Sequence, residues 1–134
     1  MAHILGYLHV SLTVTDLARS AAWYQQVLGF TIDAETNGQG FRRTRLRAPD
    51  SGIGLALTCH DEGSGGRFSE LRTGMDHLAF RVEGVEGVEA VRLRCEEFDV
   101  DCSEVKVSDG IARMTLRDPA NIQLEVFERP GLDE

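Results

Sequence analysis

Two imidazoles and one carboxylate define the chemistry open to this 134-residue chain. His9 opens the segment HVSLTV, and His77 opens HLAFRV 68 residues further on. Glu125 lies in IQLEVF, which runs from Ile122 to Phe127. Two imidazole nitrogens and a carboxylate oxygen from three separate strands are a common donor set for Fe(II), Mn(II), Ni(II) or Zn(II). Three protein ligands also leave coordination positions free for substrate or water. Taken singly, each residue has a plainer role, since a strand histidine is usually hydrogen-bonded at the surface and a strand glutamate solvated. An internal repeat ties the three together.

At the offset of 68 residues, Val10, Leu12 and Val14 fall on Leu78, Phe80 and Val82, and Phe30 and Ile32 fall on Phe98 and Val100. Downstream, FRRTRLRAP (Phe41–Pro49) lies over IARMTLRDP (Ile111–Pro119), and IGLALT (Ile53–Thr58) lies over IQLEVF. His9 and His77 are therefore mates. Glu125 falls on Ala56, so the fourth symmetric position carries no donor. Repeats of this kind signal one supersecondary unit used twice.

Each half reads as strand, helix, then three strands with the period-two alternation of half-buried strands. Asp16 is a suitable N-cap and Gly29 a suitable stop for a first helix, with Ser20, Trp23, Tyr24, Val27 and Leu28 on one face. A second helix is expected over about Val85–Glu97, with Val88, Val91 and Cys95 inward. The polar, glycine-rich stretch Asp61–Gly74 joins the halves, and the segment after Arg129 reads as frayed. The same alternation directs Leu12 and Val14, Leu78 and Phe80, and Leu124 and Val126 to the helix side of the strands. It leaves His9, His77 and Glu125 on the opposite faces, where two curled sheets would let them converge.

Arginines crowd the first half at Arg42, Arg43, Arg45 and Arg47. Arg43 and Arg45 share one strand face, and the repeat pairs Arg43 with Arg113. Such a cluster can hold a carboxylate or phosphate through bidentate contacts, or it can be a solvated strand balanced by neighbouring acids. Arg81 points to the side of His77. His60, at a strand end in the register of Ala56 and Thr58, is a candidate acid or base at a cavity mouth, although Asp61 and Glu62 beside it also suit a plain loop histidine.

Composition narrows the partners. Apolar residues make up 42% and charged residues 27%, as in an ordinary globular domain. The net charge of −8 disfavours nucleic acid and anionic membrane surfaces. No apolar run approaches the roughly 20 residues of a membrane span, and Met1–Tyr7 lacks the features of a secretory signal. Three cysteines with no CxxC pair, Cys59, Cys95 and Cys102, fit reduced, small buried hydrophobes in a cytoplasmic protein.

HVSLTVTDLARSAAWYQQVLGF, DHLAFRV and RDPANIQLEVFE resemble the vicinal oxygen chelate superfamily of glyoxalases, bleomycin resistance proteins and extradiol dioxygenases. The resemblance covers nearly the whole chain. It implies a single α+β domain, residues 1–134, of paired βαβββ modules (about 5–62 and 75–129) whose mixed sheets curl around a central cavity. It places one divalent metal ion (Fe, Mn, Ni or Zn) on His9, His77 and Glu125, with Ala56 where relatives such as glyoxalase I carry a fourth ligand. It further implies a homodimer and a bidentate, oxygen-rich small-molecule substrate, anionic if the arginines meet it. With no second carboxylate as base, a glyoxalase-type isomerase fits less well than a dioxygenase, transferase or other lyase. The alternative within the superfamily is a resistance protein that sequesters an antibiotic or metabolite without chemistry.

Overall fold

Asp16 starts the first helix as its sequence suggests: its carboxylate accepts the backbone N–H of Arg19 at 3.1 Å, satisfying one of the free donors of the first turn. The helix ends at Gly29, whose φ of +74° carries the chain into the left-handed region that glycine enters without strain. There the Gly29 and Phe30 N–H groups donate to the Gln25 and Tyr24 carbonyls.

The computed structural model describes residues 1–63 and 65–129, and the expected frayed tail after Arg129 lies outside the described residues. The chain divides into two units, the first comprising residues 1–25 and 29–65, the second residues 26–28 and the chain from 66 onward. Their elements run β1 (Ser11–Thr13), α1 (Leu17–Leu28), β2 (Thr31–Gly38), β3 (Phe41–Arg47), β4 (Gly54–His60), then β5 (Leu78–Arg81), α2 (Gly84–Glu97), β6 (Lys106–Ser108), β7 (Ile111–Arg117) and β8 (Gln123–Glu128). This is the βαβββ pattern twice over.

The sheet of the first unit has the order β1-β4-β3-β2 and that of the second β5-β8-β7-β6. Each is mixed: the module's first strand lies parallel to its last, and the other pairs are antiparallel. In the first unit Leu12, Val14, Leu46, Leu55 and Leu57 are buried. In the second, α2 packs across β7 and β8, with Val88 and Cys95 fully buried along with Met114, Leu116, Leu124 and Val126. Each such aliphatic side chain contributes about 1.5–3 kcal/mol on leaving water. Cys59 and Cys102 depart from the expectation of buried thiols and are partly exposed.

The stretch joining β4 to β5 is more than a polar connector. Phe68 N–H donates to the Ala120 carbonyl and its own carbonyl accepts from Asn121 Nδ2. Glu70 forms a two-pronged ion pair with Arg117, at 2.9 and 3.0 Å. Residues 66–72 are thus tied to the β7–β8 turn, whose own shape comes from Asp118 accepting the N–H groups of Ala120 and Ile122 at 2.8 Å each. No described helix is long and apolar enough to cross a membrane.

Candidate functional site

In the second unit, parallel pairing of β5 with β8 sets Ala79 opposite Glu125. His77, two residues before Ala79, shares its face because side chains alternate along a strand. His77 Nε2 lies 3.3 Å from Glu125 Oε2, while Nδ1 lies 2.7 Å from Asp76 Oδ1. Each ring nitrogen of His77 therefore stands against a carboxylate, Nδ1 against Asp76 and Nε2 against Glu125. A metal-binding histidine typically has this arrangement, with its second nitrogen bound to a carboxylate.

Asp76 is itself held. Gln123 Nε2 donates to its side-chain Oδ1 at 3.2 Å and to its backbone carbonyl at 3.3 Å. Gln123 Oε1 accepts from Arg117 Nη2 at 3.3 Å, and Arg117 is clamped by Glu70. A continuous chain of polar contacts therefore runs Glu70–Arg117–Gln123–Asp76–His77–Glu125. The hydrogen bonds from Arg117, aided by the backbone, hold the Glu70 carboxyl down at about 2.

In the first unit, His9 precedes β1 and lines a cavity of about 230 Å³ together with Asp33, Arg43, Arg45, Arg47 and Ala56. Parallel pairing sets Ser11 opposite Ala56, and antiparallel pairing sets Arg45 opposite Ala56 and Arg43 opposite Thr58. Arg43 Nε donates to Thr58 Oγ1 at 2.9 Å, and Thr58 Oγ1 lies 2.8 Å from Ser11 Oγ.

Among the described residues, no group of three or more His, Cys, Asp or Glu side chains is gathered as a metal site. The second unit brings His77 and Glu125 together, and the first carries His9. The chemistry of these donors fits a divalent first-row metal.

A family model described as the glyoxalase/bleomycin resistance protein/dioxygenase superfamily matches residues 6–126. The chain belongs to this superfamily. A glyoxalase/bleomycin resistance protein/dioxygenase domain from Frankia sp. EAN1pec is 30% identical, with a TM-score of 0.89 over 96% of each chain. The protein SMU.1112c is 28% identical, with a TM-score of 0.74 over 93% of this chain and all of the other. A genomically encoded fosfomycin resistance protein, FosX, from Listeria monocytogenes shares the fold at 17% identity, with a TM-score of 0.73 over 96% of this chain and 97% of its own. A point mutant of the same FosX has also been crystallised with Mn(II) and 1S,2S-dihydroxypropylphosphonic acid. No curated protein matches the sequence.

Within this superfamily fold, the remaining candidates separate. Arg113, the repeat mate of Arg43, is exposed on β7 opposite Phe127. Phenylalanine there supplies no hydroxyl, so Arg113 lacks the anchor that Thr58 gives Arg43. His60 ends β4, exposed, with its ring 6.2 Å from that of Phe41, and does not line the cavity. Arg81 lies opposite Phe127 in the β5–β8 register. Burial pushes the Cys95 thiol up to about 12, aided by Cys102, so it is no nucleophile at neutral pH. The sequence reading gave no role to Asp76, Gln123, Thr58 or Ser11. Asp76 had one available signal, a carboxylate adjacent in sequence to a candidate ligand. Gln123 and Thr58 become visible only once strand register is known.

Proposed function

We propose that this superfamily member is a metal-dependent enzyme in which His9, His77 and Glu125 hold one divalent ion, drawn from Fe, Mn, Ni or Zn, against a small oxygen-rich substrate. The observation that carries this reading is the His77–Glu125 pair, with Asp76 against the other ring nitrogen of His77. When bound, the ion supplies Lewis-acid chemistry, polarising two neighbouring substrate oxygens and stabilising the charge that develops on them. The protein's part is positional. Asp76 and Gln123 hold the His77 ring, Glu125 supplies a charged oxygen, and Ala56 adds neither donor nor charge, leaving room for a bidentate substrate.

The donor set supports a lyase, transferase or dioxygenase-like reaction over simple sequestration, a reading the superfamily fold accommodates equally. A cytoplasmic homodimer is part of the same proposal. In its support, Ile4, Leu5, Tyr7 and Leu8 are each at least 93% exposed in the single chain, an apolar surface of the kind that marks a protein contact.

Elemental analysis and metal titration test the site. About one ion per chain is expected, with binding sharply weakened in His9→Ala, His77→Ala and Glu125→Ala, because a three-ligand site losing one donor keeps two. Wild-type affinity in all three variants overturns the metal site and leaves the sequestering alternative.

A further inference from the structure

The cavity of the first unit is strongly cationic in an otherwise acidic chain. Three guanidiniums, Arg43, Arg45 and Arg47, line it beside a single carboxylate, Asp33. Asp33 is already engaged, since its Oδ2 lies 3.3 Å from Arg47 Nη2. Among the described residues neither Arg43 nor Arg45 forms an ion pair. Two positive charges are therefore left facing one concavity.

Arg43 is also built into place. Its Nε is committed to Thr58, a 3% exposed side chain, and its guanidinium carbon stands 4.6 Å from the centroid of the Phe41 ring. Phe41 lies across Gly38, its partner in the β2–β3 hairpin, where any Cβ would collide with the ring. The sequence thus fixes one edge and one face of the guanidinium, leaving the two-nitrogen Nη edge uncommitted. That edge matches two oxygens of an oxyanion. Arg45 is two residues on, same face, about 7 Å along the strand. It stands opposite Ala56, where a carboxylate would have neutralised it.

We propose that Arg43 and Arg45 form an oxyanion-binding subsite that selects substrates bearing a carboxylate or a phosphate-type group beside His9. This deepens the enzymatic reading and rests on it for the word substrate, but the subsite itself requires no metal. Arg43 is the fork, Arg45 the second charge, and Thr58, Ser11, Phe41 and Gly38 position the fork.

The experiment is calorimetric titration of the chelator-treated, metal-free protein with inorganic phosphate and, separately, acetate at constant ionic strength. Saturable binding of at least one anion is expected, and the tighter of the two identifies the head group. Arg43→Gln and Arg45→Gln should each weaken it by about tenfold or more, the loss of a charged hydrogen bond. Arg43→Lys, which keeps the charge and the fold but removes the fork, should weaken it as well. Arg42→Gln, on the opposite face of β3, should leave it unchanged. No saturable binding of either anion, equal affinity in the wild type and both Gln variants, or an equal loss in Arg42→Gln overturns the subsite. Because no metal is present, none of these outcomes bears on His9, His77 and Glu125 as ligands.

Discussion

Ala56 occupies in the first sheet the position that Glu125 occupies in the second. Ala56 has Ser11 opposite it on one side and Arg45 on the other; Glu125 has Ala79 and Thr115. Ser11 and Ala79 each follow a candidate histidine by two residues. The two modules therefore present one strand framework with a donor in one copy and a methyl in the other. The absence of a carboxylate at 56 also leaves Arg45 without a cross-strand acid.

Ala56→Glu should alter both properties together. The new carboxylate should tighten metal binding by adding a charged oxygen donor. It should also reduce phosphate or acetate binding to the metal-free protein, because it faces Arg45 across the β3–β4 pair. Competition titration with a metal indicator and anion calorimetry read the two effects independently. Unchanged metal affinity in the folded variant would mean that position 56 does not face the ion.

The contact between Asp76 and His77 predicts a role for a residue that is not itself a ligand. Asp76→Ala removes the partner of His77 Nδ1 and frees the ring to rotate, and metal affinity should drop by about 10–100-fold, as such supporting partners typically cost when lost. Gln123→Leu, which removes the contact to Asp76, should act in the same direction more weakly. Metal titration of the two variants beside His77→Ala provides the scale, and wild-type affinity in Asp76→Ala would make the contact incidental.

The exposed apolar residues before β1 predict an assembly. Charging them, as in Leu5→Asp with Leu8→Asp, should convert a dimer to a monomer at micromolar concentration while circular dichroism stays unchanged. Sedimentation velocity distinguishes the states. A wild-type monomer at that concentration would remove the homodimer from the proposal.

Much of the fold was legible because short-range rules wrote it. Asp16 and Gly29 are cap residues whatever surrounds them, and period-two alternation placed Leu12, Val14, Leu124 and Val126 inside. The repeat alignment of Ala56 with Glu125 holds at the level of strand register. The candidate site was legible only as residue types. That His77 reaches Glu125 and Asp76 at once depends on pairing between strands 46 residues apart, and that Arg43 is anchored while Arg113 is not depends on Thr58 and Phe127 across the sheet. The Glu70–Arg117 clamp was hidden for the same reason. Glu70 sits in a glycine-rich stretch that composition marks as a connector, and its partner is 47 residues away.

That clamp carries a pH prediction. Hydrogen bonding from Arg117 holds the folded-state Glu70 carboxyl at about 2, against an ordinary value of 4.5. A carboxylate depressed on folding stabilises the native state above its unfolded value, and loses that stabilisation as the pH falls toward its folded value. The contribution should therefore be complete above about pH 5.5 and shrink between 4.5 and 2. Glu70→Gln keeps the size of the side chain and removes its charge. Its melting temperature should lie below that of the wild type by a constant interval near neutral pH, and the interval should narrow through the acid window as the wild-type carboxylate is protonated. Because both groups are solvent-accessible, the effect should also diminish in high salt. Thermal melts of the two proteins from pH 7 to pH 2, at low and high ionic strength, make the comparison. Melting curves that stay a fixed distance apart down to pH 2 would show that the ionised form of Glu70 is not what the clamp depends on.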